Sequence, residues 1–209
     1  MITSYEALVN RLSEELPGEA AHLVMYPRKG AAPQSPSADD NIRLSAIAII
    51  LFEHESALHT LVIQRSVYEG THSGQIAFPG GKWETDDASL KATALRECRE
   101  EIGISEDELD YIGKLTDVYT AVSSFLIEPY VFYWNAPRSP LTLSEREVAA
   151  VYEINLEELI DDAVIRLIDV PVQNGIVLKA VPHFLLGDVK IWGATALMLS
   201  ELKWILRSL

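Results

Sequence analysis

The chain reads as an α+β domain in which a central mixed β-sheet lies between helices, and three features point to it. Leu44 to Phe52 (LSAIAIILF) is continuously apolar and rich in β-branched residues, as a central strand covered on both faces requires. Strand-like segments both precede and follow one long helical run that stops at Gly103. Lys190 to Leu209 closes the chain with apolar residues at helical spacing, a helix that covers the sheet. With 209 residues and 48% apolar content, the chain suffices for one domain with a full core.

Taken in order, Tyr5 to Leu16 carries Ala7, Leu8, Leu12 and Leu16 at near-helical spacing, with Ser4 as N-cap and Pro17 as stop. Pro27 through Asp40, with its Pro, Gly, Ser and Asp, predicts a loop. After the strand at 44 to 52, the polar stretch around His54 and His59 forms a turn with both imidazoles exposed, and Thr60 to Arg65 returns as a paired strand. Ser66 to Pro79 is a loop with a brief strand at Ile76-Ala77-Phe78, and Gly80-Gly81 is a turn. Beyond the helix, Glu106-Asp107-Glu108 opens a turn, Tyr111 to Leu115 and Pro129 to Trp134 are strands, and Thr116 to Phe125 is the loop between them. Leu156 to Ile160 is a short helix capped by Asn155, and Ile165 to Val172 and Gly175 to Val181 form a hairpin turning at Gln173-Asn174-Gly175. We expect residues 1–42 to be a helix and loop packed on a domain that spans 43–209.

The helical run Arg96-Glu97-Cys98-Arg99-Glu100-Glu101-Ile102-Gly103 carries the chemistry. Positions three and four apart share a helix surface, so Glu97, Glu100 and Glu101 are expected to form one acidic patch. A hard divalent cation would relieve their repulsion and would take phosphate oxygens as further ligands. By itself the run also suits a solvated face laced with pairs such as Arg96 with Glu100. Cys98 lies on the apolar side and reads as a small buried hydrophobe.

The stretch GGKWETDDASLKATALRECREEIGI, from Gly80 to Ile104, resembles the Nudix hydrolase signature. The resemblance implies an α/β/α sandwich and a loop-helix-loop in which Glu97, Glu100 and Glu101 hold Mg²⁺ or Mn²⁺ against a substrate diphosphate. It further implies that Arg96 orients the glutamates and that Glu147, just before the apolar run from Val148, is an additional ligand or base. The family pattern has seven residues between a Glu and this Arg, whereas here eight separate Asp87 from Arg96. That insertion resembles the branch that hydrolyses coenzyme A.

Arg65-Ser66, His72-Ser73-Gly74-Gln75 and Phe78-Pro79-Gly80-Gly81 resemble the extra motif of that branch, with Gly70 standing where the motif has an Arg. Ser123-Ser124-Phe125 and Ile191-Trp192-Gly193-Ala194-Thr195-Ala196 resemble further parts of it. The expected function is metal-dependent hydrolysis of coenzyme A or an acyl-CoA, with Arg65, Gly80, Gly81 and Lys82 contacting substrate. His72 reads as a loop imidazole more readily than as a base. The alternatives are an ADP-ribose or other nucleoside-diphosphate hydrolase and a non-catalytic nucleotide sensor, and retention of all three glutamates counts against the sensor.

A net charge of −14 with no basic run argues against a nucleic-acid binder, and one cysteine excludes an internal disulfide. No apolar run reaches membrane-spanning length and no signal peptide is evident, so a cytoplasmic home and a small nucleotide-diphosphate substrate are expected, with a homodimer left open.

Overall fold

The computed structural model describes residues 5–26, 36, 41–67, 73–136, 140–171 and 176–209. Ser4, nearly all of the 27–40 loop, Gly70, His72 and the Gln173-Asn174-Gly175 turn lie outside the described residues.

The expected central strand is β1 (Arg43–His54), longer than the apolar run because its polar end continues into a hairpin with β2 (Ala57–Arg65). The turn is made by Glu55 and Ser56, both at positive φ (50° and 64°), which suits the right-handed twist of two-residue hairpins. β1 pairs in parallel with β7 (Phe125–Trp134) along one edge. On its other edge it pairs antiparallel with β2 and with β4 (Gly80–Lys82).

β3 (Ile76–Ala77) and β8 (Val148–Asn155) join β2, while β5 (Leu109–Lys114) and β6 (Val118–Thr120) join β7, completing an eight-stranded mixed sheet. A smaller antiparallel sheet holds β9 (Ile165–Pro171), β10 (Val177–Leu186) and β11 (Val189–Ile191).

Period-two alternation along β1 builds two cores. Ala46, Ala48, Ile50 and Phe52 pack with Ala94, Leu95, Cys98 and Ile102 of α3 (Leu90–Ile102). Ile49 and Leu51 face the opposite way, into a core with Leu199, Leu202 and Ile205 of α5 (Gly193–Arg207). The sheet is therefore the middle layer between helices, as expected.

The N-terminal segment packs on the α5 side. α1 (Tyr5–Leu12) buries Leu8 and Leu12 in that core, and Tyr5 lies edge-on to Tyr133 with ring centroids 5.0 Å apart. The helix stops earlier than Leu16 because the Ser13 amide and hydroxyl both donate to the Asn10 carbonyl, closing the last turn. A four-residue helix, α2 (Glu19–His22), follows. Buried Glu201 of α5 ties this region down, with Oε1 accepting from Gly18 N (3.1 Å) and Thr116 Oγ1 (2.7 Å). Its Oε2 accepts from Thr116 N (3.0 Å) and lies 3.2 Å from His22 Nε2. Burial pushes this carboxyl up, but the His22 and Thr116 bonds outweigh burial and hold it below its ordinary value.

Several expectations are corrected. Gly80-Gly81 is the start of β4, not a free turn, because the backbone lies flush against β1: a Cβ on Gly80 would sit 2.4 Å from the Ala46 carbonyl oxygen. The 116–125 loop contains β6, and β7 starts at Phe125, well before Pro129. Residues 189–191 are a strand, so the closing helix begins at Gly193. His59 is not fully exposed but stacks on Phe52 at 5.8 Å, and His54 Nδ1 lies 2.9 Å from Glu153 Oε2. Asn155 does cap α4 (Leu156–Leu159), accepting from Glu157 N at 2.8 Å. Among the described residues no helix is long and apolar enough to cross a membrane.

Candidate active site

α3 is fixed at both ends by residues suited to the task. Ser89 Oγ accepts from Ala92 N at 3.1 Å as N-cap, and Gly103 closes the helix at φ 78°, the left-handed region that glycine enters without a Cβ penalty. The segment after β7 packs on this end, with Thr142 N donating to the Ile102 carbonyl and Ser144 N to that of Glu101.

Arg96 organises the helix surface. Its Nε donates to Asp87 Oδ1 (2.9 Å) and its Nη2 to Asp87 Oδ2 (3.1 Å), a two-armed pair. Nη1 reaches Glu97 Oε1 (2.8 Å) and Glu100 Oε2 (3.1 Å), and Nη2 also reaches the Lys82 carbonyl (3.1 Å). Hydrogen bonding from Arg96 holds the Asp87 carboxyl down at about 2. Thr93 Oγ1 donates to the same carboxylate at 2.8 Å, a role that sequence spacing did not reveal because Thr93 points back across the helix start.

The three glutamates, expected from spacing to form one acidic patch, differ sharply in burial. Glu101 is 1% exposed, Glu97 is half-buried, and the Glu100 side chain is about half exposed. The face each residue presents makes the difference, since Glu101 turns toward β4 and the sheet. Its Oε2 accepts from Gly80 N at 2.9 Å, and its Oε1 lies 3.6 Å from Arg65 Nη1. Burial, with the charges of Glu97 and Glu147 adding to it, pushes the Glu101 carboxyl up to about 7 against the pull of Gly80 and Arg65. Burial also raises Glu97, opposed by Arg96 and reinforced by Glu100 and Glu147. Gly81 gives Glu97 its room: a Cβ there would stand 2.2 Å from Oε1.

The remaining candidates stand close by or face solvent. Arg65 ends β2 opposite Val148, and the adjacent Ser66 N donates to the Glu147 carbonyl at 2.9 Å, so Glu147 stands in the turn just before β8 with an exposed side chain. The Lys82 side chain is exposed, and its carbonyl is what braces Arg96. Cys98 is fully buried, and burial pushes its thiol up to about 12, which removes it as a nucleophile.

Among the described residues no three Asp, Glu, His or Cys side chains already converge on one point, since Arg96 draws Glu97 and Glu100 to itself. The donor set nevertheless fits a hard cation. It offers only carboxylate oxygens, and two of those groups are raised by burial and mutual repulsion, the mark of a site short of positive charge.

The family model described as NUDIX domain matches residues 42–170. The chain belongs to the Nudix family. A Nudix relative from Salmonella paratyphi B, named uncharacterized Nudix hydrolase NudL, is 36% identical over 145 residues, covering 68% of this chain and 72% of its own. The crystal structure of the Nudix hydrolase RenU from M. smegmatis superposes with a TM-score of 0.54 at 12% identity, over 79% of this chain and 86% of that one, and supports the fold alone. Nudix hydrolases act on small nucleotide diphosphates with divalent metal ions, and this protein is a Nudix pyrophosphohydrolase.

Proposed function

We propose that the protein hydrolyses the diphosphate bond of coenzyme A or an acyl-CoA, releasing 4′-phosphopantetheine or its acyl form and adenosine 3′,5′-bisphosphate. The observation that carries this reading is the Asp87–Arg96 pair. The extra residue between them, which resembles the coenzyme A branch, is absorbed in the loop before α3 without loss of the two-armed contact. Support also comes from the loop resembling that branch's motif: its two ends meet where Arg65 N donates to the Gln75 carbonyl, beside Glu101 and Glu147.

In this reading Glu97, Glu100 and Glu101 hold Mg²⁺ or Mn²⁺, which when bound neutralises diphosphate oxygens and acidifies a water. Arg96 keeps Glu97 and Glu100 in place and does not touch substrate. Glu147, exposed and near enough for its charge to raise Glu97 and Glu101, accepts the proton of the attacking water. Arg65 and Lys82 supply positive charge to the phosphates, and Gly80 and Gly81 let the backbone of β4 approach them. The test is product analysis: coenzyme A incubated with the enzyme and Mg²⁺ or Mn²⁺ should yield adenosine 3′,5′-bisphosphate in a one-to-one ratio with 4′-phosphopantetheine. Intact coenzyme A after such incubation, with ADP-ribose consumed under the same conditions, would transfer the assignment to the ADP-ribose class.

A further inference from the structure

On the layer opposite α3, a cavity of about 310 Å³ opens between the outer face of α5, the single helical turn Leu23–Met25 and the start of β9. That volume is at the low end of the range for small-molecule sites. Its apolar walls are Val24, Ile165 and Trp204, and Val24 and Trp204 are about half exposed although both are large and apolar. Its polar side is cationic, with Lys203 and Arg207 one helical turn apart on α5.

Two features of these cations point to an anion. The first is a geometry already shaped for a carboxylate: Asp162 Oδ1 bridges them, 3.1 Å from Lys203 Nζ and 2.8 Å from Arg207 Nη2. The second is a buried cation whose ion-pair partner is hydrated. The Lys203 side chain is only 6% exposed and donates to the Asp161 carbonyl at 2.7 Å, while Asp162, the carboxylate it pairs with, is 73% exposed and so supplies a largely hydrated charge. Burial accordingly pushes the Lys203 ammonium below its ordinary value, and the like charge of Arg207 adds to the effect. In a chain of net charge −14, a place with two cations and one solvent-exposed carboxylate offers a small anion a local excess of positive charge.

We propose that this cavity binds a small carboxylate bearing an apolar tail. The head group displaces Asp162 from its bridge between Lys203 and Arg207, and the tail lies along Val24, Ile165 and Trp204. Asp162 begins a three-residue helical turn and can swing into solvent with little loss of packing. The site is independent of the diphosphate site, because α3 and its glutamates lie on the other face of the sheet.

Octanoate is the probe, with octanol and inorganic phosphate as controls, followed by isothermal titration calorimetry and by tryptophan fluorescence in the wild type and in Trp204→Phe. Octanoate should bind saturably at one site, octanol and phosphate much more weakly, and the fluorescence change should vanish in Trp204→Phe. Arg207→Gln should weaken binding roughly tenfold or more, as loss of a charge-assisted hydrogen bond does, and Asp162→Asn should tighten it by removing the competitor. Lys203→Met tests the buried cation, and Arg207→Gln, at a partly exposed position, keeps the test intact if Lys203→Met does not fold. The proposal is overturned if octanoate fails to saturate, if octanol binds equally well, or if Asp162→Asn and Arg207→Gln leave its affinity unchanged.

Discussion

Arg96 and Asp87 meet through two parallel hydrogen bonds of 2.9 and 3.1 Å across the junction between the β4 loop and α3. The same guanidinium holds Glu97 and Glu100 and the Lys82 carbonyl, so one side chain sets the spacing between β4 and the acidic face of α3. Arg96→Lys cannot reproduce the fork. We expect it to lower kcat by more than tenfold and to cost about 1.5–3 kcal/mol of stability, measured by steady-state kinetics and urea unfolding.

Gly81 and Gly80 separate function from folding. Gly81→Ala drives a Cβ into the Glu97 carboxylate, a side-chain end that can move, so the protein should fold with normal circular dichroism and lose most of its turnover. Gly80→Ala meets the Ala46 carbonyl oxygen at 2.4 Å and Ile47 Cα at 2.6 Å, both backbone, and should fail to accumulate as folded protein. Equal activity of Gly81→Ala and wild type would remove Glu97 from the site.

The raised carboxyl of Glu101 makes metal-free stability depend on pH in a stated direction. The folded state holds the Glu101 proton up to about 7, whereas the unfolded chain releases it near 4.5, so this group's contribution to stability is full below 4.5 and is lost as pH rises toward 7. Thermal unfolding in EDTA should show this decline, and Glu101→Gln should flatten it. Divalent ions should raise Tm increasingly as pH approaches and passes 7, because binding requires the ionised form.

Glu201 has the opposite sign. Its folded carboxyl lies below the ordinary 4.5, so its contribution is present above that value and disappears as pH falls below it. Glu201→Ala strands buried donors from Gly18, His22 and Thr116, and should cost about 3–5 kcal/mol, a fall in Tm on the order of 10 °C. Limited proteolysis should then cut near residues 13–26 faster than in wild type.

These residues also mark how far the sequence could be read. The apolar run at 44–52 and the glycine after Ile102 announced the central strand and the stop of α3, because both signals are local. The partition of the glutamates was not local: whether position 97, 100 or 101 is buried depends on β4, and β4 was hidden behind two glycines whose purpose is close approach to β1 and to Glu97. Glu201 gave no signal at all, since its partners Gly18, His22 and Thr116 stand far away in the chain. Lys82 was expected to contact substrate through its side chain, whereas the structural work at that position is done by its carbonyl, which no side-chain pattern reports.

The substrate is the central claim, and steady-state kinetics on coenzyme A, 3′-dephospho-coenzyme A and ADP-ribose with saturating Mg²⁺ or Mn²⁺ tests it most directly. An Arg or Lys contact to the 3′-phosphate is charge-assisted and worth about 1.5–3 kcal/mol, so dephospho-coenzyme A should have a kcat/KM lower than coenzyme A by roughly tenfold or more. ADP-ribose, which lacks both that phosphate and the pantetheine arm, should be poorer still. The highest kcat/KM on ADP-ribose would contradict the coenzyme A assignment and leave the Nudix diphosphatase standing.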